Sequence, residues 1–355
     1  MKILTGVILI LALNSPVLAQ KRVLLEKYTS AFCGSCPNGT LIAHELQQRY
    51  PELVLIFHHS SVDGMANEHS TEWKQGFNIL GTPLGIINRQ PGENGSIAAA
   101  PLDWEERIVH ALEEPHYLDI HFNGTYNPYN RQLSLDVSTT FHELPPAGEL
   151  RLNVVVVEDS VLHAGFGFDQ SNYYNEVEGH PLFGLGSPIY FYPHHHVVRD
   201  IIDETWGTPN AFPIHISLQT PYIYAYDYVV SYPWDDEKVK LVAFVSIYDA
   251  ENPNNHQVLN VQEINLFDLI PNATSSPAQQ SPFHLSPNPV TGQLFIQSPP
   301  DTYQLSVFNA YGQLIEAKVQ QNADVFLDVS QWVKGIYYFH FSTEKAQFIH
   351  PIVIQ

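Results

Sequence analysis

Only two cysteines occur in the 355 residues, Cys33 and Cys36, and their surroundings constrain the fold more than any other stretch. Val23 to Thr29 is a short, mainly apolar run that reads as a buried strand. Ser30-Ala31-Phe32-Cys33-Gly34-Ser35-Cys36-Pro37 follows at once. From Asn38 to Tyr50 the period becomes helical: Leu41, Ile42, His44, Glu45, Leu46 and Arg49 give one apolar stripe and one polar face, and Pro51 stops it. Leu53 to Phe57 is a second apolar strand. Strand, helix and strand with a right-handed crossover predict a parallel βαβ unit whose cysteines sit at the first strand-to-helix junction.

That placement has chemical consequences. A cross-link between residues three apart closes a very small loop and restrains little of the unfolded chain, so redox chemistry explains the pair better than stapling. A thiol attacks a disulfide as thiolate. At a helix start, unpaired N–H groups and the helix dipole favour the negative sulfur. Cys33 is then the exposed attacking thiol, and Cys36, almost one turn on, the more buried resolving thiol. Two alternatives stay open. The pair is half of a zinc site completed by residues such as His58 and His59, although no second cysteine pair exists. Or it is a permanently closed disulfide in a binding protein.

Residues 1–19 have the pattern of a signal peptide: Lys2, the apolar run Ile3 to Leu13, and Val17-Leu18-Ala19 before the cleavage point. An α/β domain is expected over 20–115. It contains a helix from Thr71 to Leu80, a strand after Gly81-Thr82-Pro83, and a helix from Leu102 to Glu114 capped by Asp103. From His116 the period becomes two, as in Leu118, Ile120, Phe122 and Leu133, Leu135, Val137. A β-sandwich-like domain is expected over 116–270. It is interrupted by an irregular insertion, 163–213, with one helix-like piece from Val197 to Trp206. The Ser-, Pro- and Gln-rich 271–283 reads as a linker and 284–355 as a small β module.

The stretch from Phe32 to Cys36 between strand and helix, with Thr82-Pro83 before a later strand, resembles the thioredoxin superfamily. The resemblance implies a cis Thr82-Pro83 bond packed against the cysteines, with Thr82 and Pro83 holding an extended substrate segment. Three positions depart from it: Ser35 replaces the usual proline, Pro37 the usual Lys or His, and Lys27 the buried proton-accepting Asp, while the adjacent Glu26 is expected on the opposite face. A closer resemblance is to the Omp28-related outer membrane proteins. It is carried by Leu25-Glu26-Lys27-Tyr28-Thr29 before Cys33-Gly34-Ser35-Cys36-Pro37-Asn38-Gly39, by Gly81-Thr82-Pro83 with Ile87-Asn88-Arg89, and by His196-Val197-Val198-Arg199 with Trp206-Gly207. The tail is similar to the type A sorting domain of the type IX secretion system, through Ser286-Pro287-Asn288-Pro289, Leu305 to Gln313, Asp328-Val329-Ser330 and Lys334-Gly335-Ile336-Tyr337. Together these imply an α/β thioredoxin-like N-terminal domain, a β-sandwich-like domain and a small C-terminal β-sandwich sorting domain, exported across the outer membrane to the cell surface.

The expected activity is thiol–disulfide exchange on extracytoplasmic protein thiols and disulfides. Cys33 and Cys36 are catalytic, Thr82 and Pro83 bind substrate, and no cofactor is expected beyond the pair itself. The alternative is a non-catalytic surface scaffold. The type IX machinery is the expected export partner. A net charge of −21 argues against nucleic acid, and no mature segment has the length and apolarity of a transmembrane helix. His194-His195-His196 does not converge on a metal if extended, because neighbours face opposite ways. Asp235-Asp236-Glu237 reads as a solvated turn, with weak Ca²⁺ binding as the alternative. Asn123-Gly124-Thr125 and Asn272-Ala273-Thr274 match a glycosylation pattern that a bacterial chain does not use.

Overall fold

The computed structural model describes residues 21–270, 282–298, 302–309, 314–320, 324–343 and 347–355. The expected leader and residues 271–281 of the expected linker, with Asn272-Ala273-Thr274, lie outside them. The chain divides into two compact units between Pro271 and Asn272.

The first unit opens as mixed α/β. Strand β1 (Val23–Thr29) is joined through helix α1 (Cys36–Arg49) to β2 (Leu53–His59), and the two strands are parallel. Helix α1 starts at Cys36 rather than at Asn38, since Pro37 suits a first turn, where N–H groups have no intrahelical partner. Helix α2 (Glu68–Gly76) is capped by Asn67, whose side chain accepts from the Ser70 N–H at 2.7 Å. Strand β3 (Leu84–Ile87) runs antiparallel to β1 and is followed by the short β4 (Ala98–Ala99). A 3-10 turn at Pro101–Asp103 leads into α3 (Trp104–Leu112). Asp103 occupies the cap position there without a side-chain cap bond.

The sheet-rich remainder contains β5 (Leu118–Asn127), β6 (Gln132–Phe141), β7 (Glu149–Glu158), β8 (Val197–Ile202), β9 (Pro221–Val229), β10 (Val239–Tyr248) and β11 (Val258–Asn265). Strands β5, β6 and β9 form a three-stranded antiparallel sheet. The other four join the first sheet, giving the order β11-β10-β7-β8-β2-β1-β3-β4. The expected boundary between 20–115 and 116–270 is therefore not a seam: Pro115 ends a helical segment, but β8 returns to pair with β2, and one sheet runs through both segments. Val197 to Trp206, expected as helix-like, is instead β8 and a following turn. Val197, Val198, Ile201 and Ile202 are all buried, so the segment presents apolar groups to both faces of a sheet rather than to one face of a helix.

Three buried layers result. Val23, Leu25, Leu55 and Phe57 meet Ala43 and Leu46 of α1 and Trp104 and Ile108 of α3. On the opposite face Leu24, Tyr28, Val54 and Ile56 meet Trp73 of α2 and Phe77 just after it, together with Val155, Val242 and Phe244. Farther along, Leu152, Val154, Leu241 and Ala243 pack against Leu118, Leu133, Leu135 and Val137 of the three-stranded sheet. Alternation along β1 thus sends odd residues towards α1 and even residues towards α2.

The second unit has its own core of Phe283, Leu294, Val307, Phe339, Phe341 and Ile352. Strands β12 (His284–Ser286), β13 (Gln293–Gln297), β14 (Tyr303–Asn309), β15 (Leu314–Gln320), β16 (Val325–Asp328), β17 (Gly335–Ser342) and β18 (Gln347–Ile354) form two sheets, β12-β13-β16 and β15-β14-β17-β18.

Candidate functional site

The loop after β1 is held from below by Asp63. Its carboxylate accepts from Ser30 Oγ at 2.9 Å and the Ala31 N–H at 3.0 Å, and lies 2.9 Å from His59 Nδ1. Two successive turns then bring the cysteines round: Cys33 N–H donates to Ser30 O, and Cys36 N–H to Cys33 O. Cys33 and Cys36 are joined as a disulfide. Cys33 is half-exposed and Cys36 is 1% exposed. Cys33 stands three residues before the first helical residue rather than within the helix.

Thr82-Pro83 is a cis peptide, and both residues are half-exposed. Pro83 lies against the first turn of α1. A Cβ built on Gly39 would stand 3.1 Å from Pro83 Cβ, so the absence of a side chain at Gly39 allows the close approach. Cys36 and Gly39 belong to the first turn of α1, and Pro83 stands beside that turn at Gly39.

The neighbouring ionisable groups are arranged unusually. Glu26 faces α2, where Arg89 Nε and Nη2 each donate to its carboxylate at 2.9 Å. Burial alone would raise the Glu26 carboxyl, but Arg89 and His58 override it and hold it at about 2. Glu26 therefore faces away from α1, the helix that carries Cys36. Lys27 faces α1 instead, fully buried. Its Nζ donates to Thr40 Oγ1 and lies 4.3 Å from the Phe57 ring centroid. It makes no ion pair among the described residues, and burial pushes it down to about 7.

The structure adds a component that local sequence patterns do not reveal. Overlapping the expected insertion, residues 159–196 form a strap that returns to the cysteine loop. Ser171 N–H donates to Ala31 O at 2.8 Å and Tyr173 N–H to Gly34 O at 2.9 Å. The buried Gln170 side chain donates through Nε2 to Cys33 O at 2.9 Å and Ala31 O at 3.1 Å. The Tyr173 ring lies on Gly34 so closely that a Cβ there would fall 2.1 Å from it. These contacts join residues about 140 apart, and neither Gln nor Tyr carries a motif signal.

The three consecutive histidines diverge. His194 Nε2 meets Phe168 O at 2.7 Å and His195 Nδ1 meets Asp159 at 2.7 Å, while the buried His196 ring packs between His44 and Phe57. Asp236, expected in a solvated turn, instead accepts from the Tyr126 hydroxyl and from Arg131 Nη2 at 3.2 Å, so the turn anchors β5. No helix among the described residues is long and apolar enough to cross a membrane.

Residues 70–267, more than half of the chain, match the family model described as Outer membrane protein Omp28. The matched span begins after the cysteine pair. Residues 284–355 match the model described as Secretion system C-terminal sorting domain. Among solved structures, HBP35 of Porphyromonas gingivalis is similar over 95% of this chain and 99% of its own, with 18% identity and a TM-score of 0.58, a likeness of fold. A domain of the outer membrane lipoprotein Omp28 from Porphyromonas gingivalis is 15% identical over 43% of this chain and 90% of its own, with a TM-score of 0.24. No curated protein matches significantly.

Proposed function

Because the chain belongs to the Omp28 family of outer membrane proteins, we propose that it carries out thiol–disulfide exchange on polypeptides at the cell surface, using Cys33 and Cys36 on a thioredoxin-like framework. Its sorting domain directs it through type IX secretion to that surface. The order β1-α1-β2 followed by β3, β4 and α3, with the sheet order β2-β1-β3-β4, supports the thioredoxin-like framework.

One observation carries the chemistry: a disulfide between a half-exposed and a buried cysteine, the buried one in the first turn of α1, where Pro83 lies against Gly39. A substrate thiolate attacks Cys33 Sγ, the Cys33–Cys36 bond breaks, and Cys36 leaves as thiolate. A second substrate thiol, as thiolate, then attacks the substrate sulfur of the mixed disulfide. A substrate disulfide forms and Cys33 is released, so the pair is reduced and the substrate oxidised. Run backwards, the same steps reduce a substrate disulfide. Reducing equivalents are scarce outside the cell, which favours oxidation or isomerisation. Thr82 and Pro83 bind the substrate backbone beside the pair.

Mechanism-based trapping tests this. With Cys36→Ser, Cys33 accumulates a mixed disulfide with cell-surface proteins, seen as a reducible shift on non-reducing gels and identified by mass spectrometry. No such adduct, and no exchange of the intact pair with a small aromatic disulfide, would refute it. The alternative, a scaffold with a permanently closed pair, is favoured by the strap bonded across the loop at Ala31, Cys33 and Gly34. It requires that Cys33→Ser leave the disulfide content of secreted proteins unchanged.

A further inference from the structure

Aromatic rings beside Cys33 and farther along the strap are exposed. Phe32 is 41% exposed, Tyr173 75%, Phe166 87% and Phe183 46%. The Phe32 and Phe166 rings are 5.0 Å apart, and Tyr173 leans on Gly34. The strap could have buried these rings; instead its main chain binds the loop and leaves them facing solvent. Exposed apolar groups concentrated around a reactive atom mark an interaction surface rather than scattered surface residues.

Charge selects what that surface accepts. The three segments that build the site hold no lysine or arginine between Lys27 and Arg49, between Lys74 and Arg89, or between Arg151 and Arg199. The strap carries the exposed Glu176 and Glu178. An acidic partner meets repulsion here and a basic one attraction. An anionic lipid surface, which requires cations, is disfavoured on the same ground.

Resting on the exchange reading above, we infer that the strap is the specificity element of the site: Phe166 and Tyr173, beside Phe32 of the cysteine loop, with Glu176 and Glu178, select cysteine-bearing polypeptide segments that have aromatic and basic side chains beside the cysteine. Such a segment lays its aromatic side chain on the strap while its sulfur meets Cys33, and its lysines or arginines face the two glutamates.

The test uses the full mature chain and three peptides, each with one cysteine held as a mixed disulfide with nitrothiobenzoate. One has phenylalanine and lysine flanks, one phenylalanine and glutamate, one serine and lysine. In the reduced protein the Cys33 thiolate attacks the peptide sulfur, the peptide–aryl S–S bond breaks and coloured nitrothiobenzoate leaves; the peptide disulfide is the oxidant. The Phe/Lys peptide reacts about tenfold faster than either other, equivalent to about 1.4 kcal/mol, and its lead over the Phe/Glu peptide shrinks as salt rises. Phe166→Ala narrows the Phe/Lys to Ser/Lys ratio, and the pair Glu176→Gln and Glu178→Gln narrows the Phe/Lys to Phe/Glu ratio. All three positions are exposed, so the variants fold. Serine-for-cysteine versions of the peptides, labelled for fluorescence anisotropy, rank in the same order on the oxidised protein. Equal rates and equal binding overturn the inference, as do ratios unmoved by the variants, or tighter binding to phosphatidylglycerol vesicles than to the peptides. Ranked binding with no exchange on any disulfide supports the strap as a recognition surface and sinks the exchange reading alone.

Discussion

Replacing Lys27 by methionine should stabilise the protein, and by an amount that depends on pH. Lys27 is fully buried, unpaired among the described residues and pushed down to about 7 by burial, against 10.5 for a free lysine. At about 1.4 kcal/mol per tenfold, that gap is a penalty of about 5 kcal/mol on the folded state. The sign follows from proton counting. Between pH 7 and 10.5 the unfolded chain holds a proton on Lys27 that the folded chain has lost, so stability rises with pH across that window. Below pH 7 both states are charged and the full penalty applies. Methionine has similar length and no charge. It gives up the bond to Thr40 Oγ1, at about 1 kcal/mol, and the contact over Phe57, at about 1 kcal/mol. Thr40 still donates to Cys36 O at 3.4 Å, so its hydroxyl is not stranded. The net expectation for Lys27→Met is a gain of about 3 kcal/mol at pH 6 that disappears by pH 10.5. Guanidinium unfolding of oxidised wild type and variant, followed by tryptophan fluorescence at both pH values, measures it. A variant less stable than wild type at pH 6, or a difference that does not change with pH, refutes the reasoning.

Glu26→Gln removes the partner of the buried Arg89 and leaves its guanidinium uncompensated between Trp73, Phe77 and Phe244. A loss of about 3–5 kcal/mol is expected, readable by the same unfolding assay. Gly34→Ala places a methyl against the Tyr173 ring and drives the strap off the loop. Protease cutting within residues 163–190 and alkylation of the reduced Cys33 should both quicken, and unchanged rates would show that Tyr173 does not hold the loop closed.

Much of the first half was legible because its information is local. β1, α1 and β2 follow from an apolar run, a helical stripe and a proline stop. The opposite facings of Glu26 and Lys27 follow from strand alternation alone. What was not legible depends on pairing at a distance. β8 has apolar residues at 197, 198, 201 and 202, a spacing that also suits a helix, and only its neighbours β2 and β7 decide the matter. β9 was hidden because Ile223, on its exposed side, is as apolar as the alternating tyrosines. The strap reaches the cysteines through Gln170 and Tyr173, which carry no spacing rule, so half of the candidate site was invisible to any local pattern.

The pairing of β8 with β2 has a consequence for how such a chain can be taken apart or inherited. Excising 21–115 would strip β2 of a neighbour, uncover Trp73 where it met Phe244, and remove the strap that ties the cysteine loop. The cysteine segment is not a cassette that can be moved between proteins by itself; it travels with the residues up to 270 or leaves behind an open sheet edge, and open edges invite aggregation.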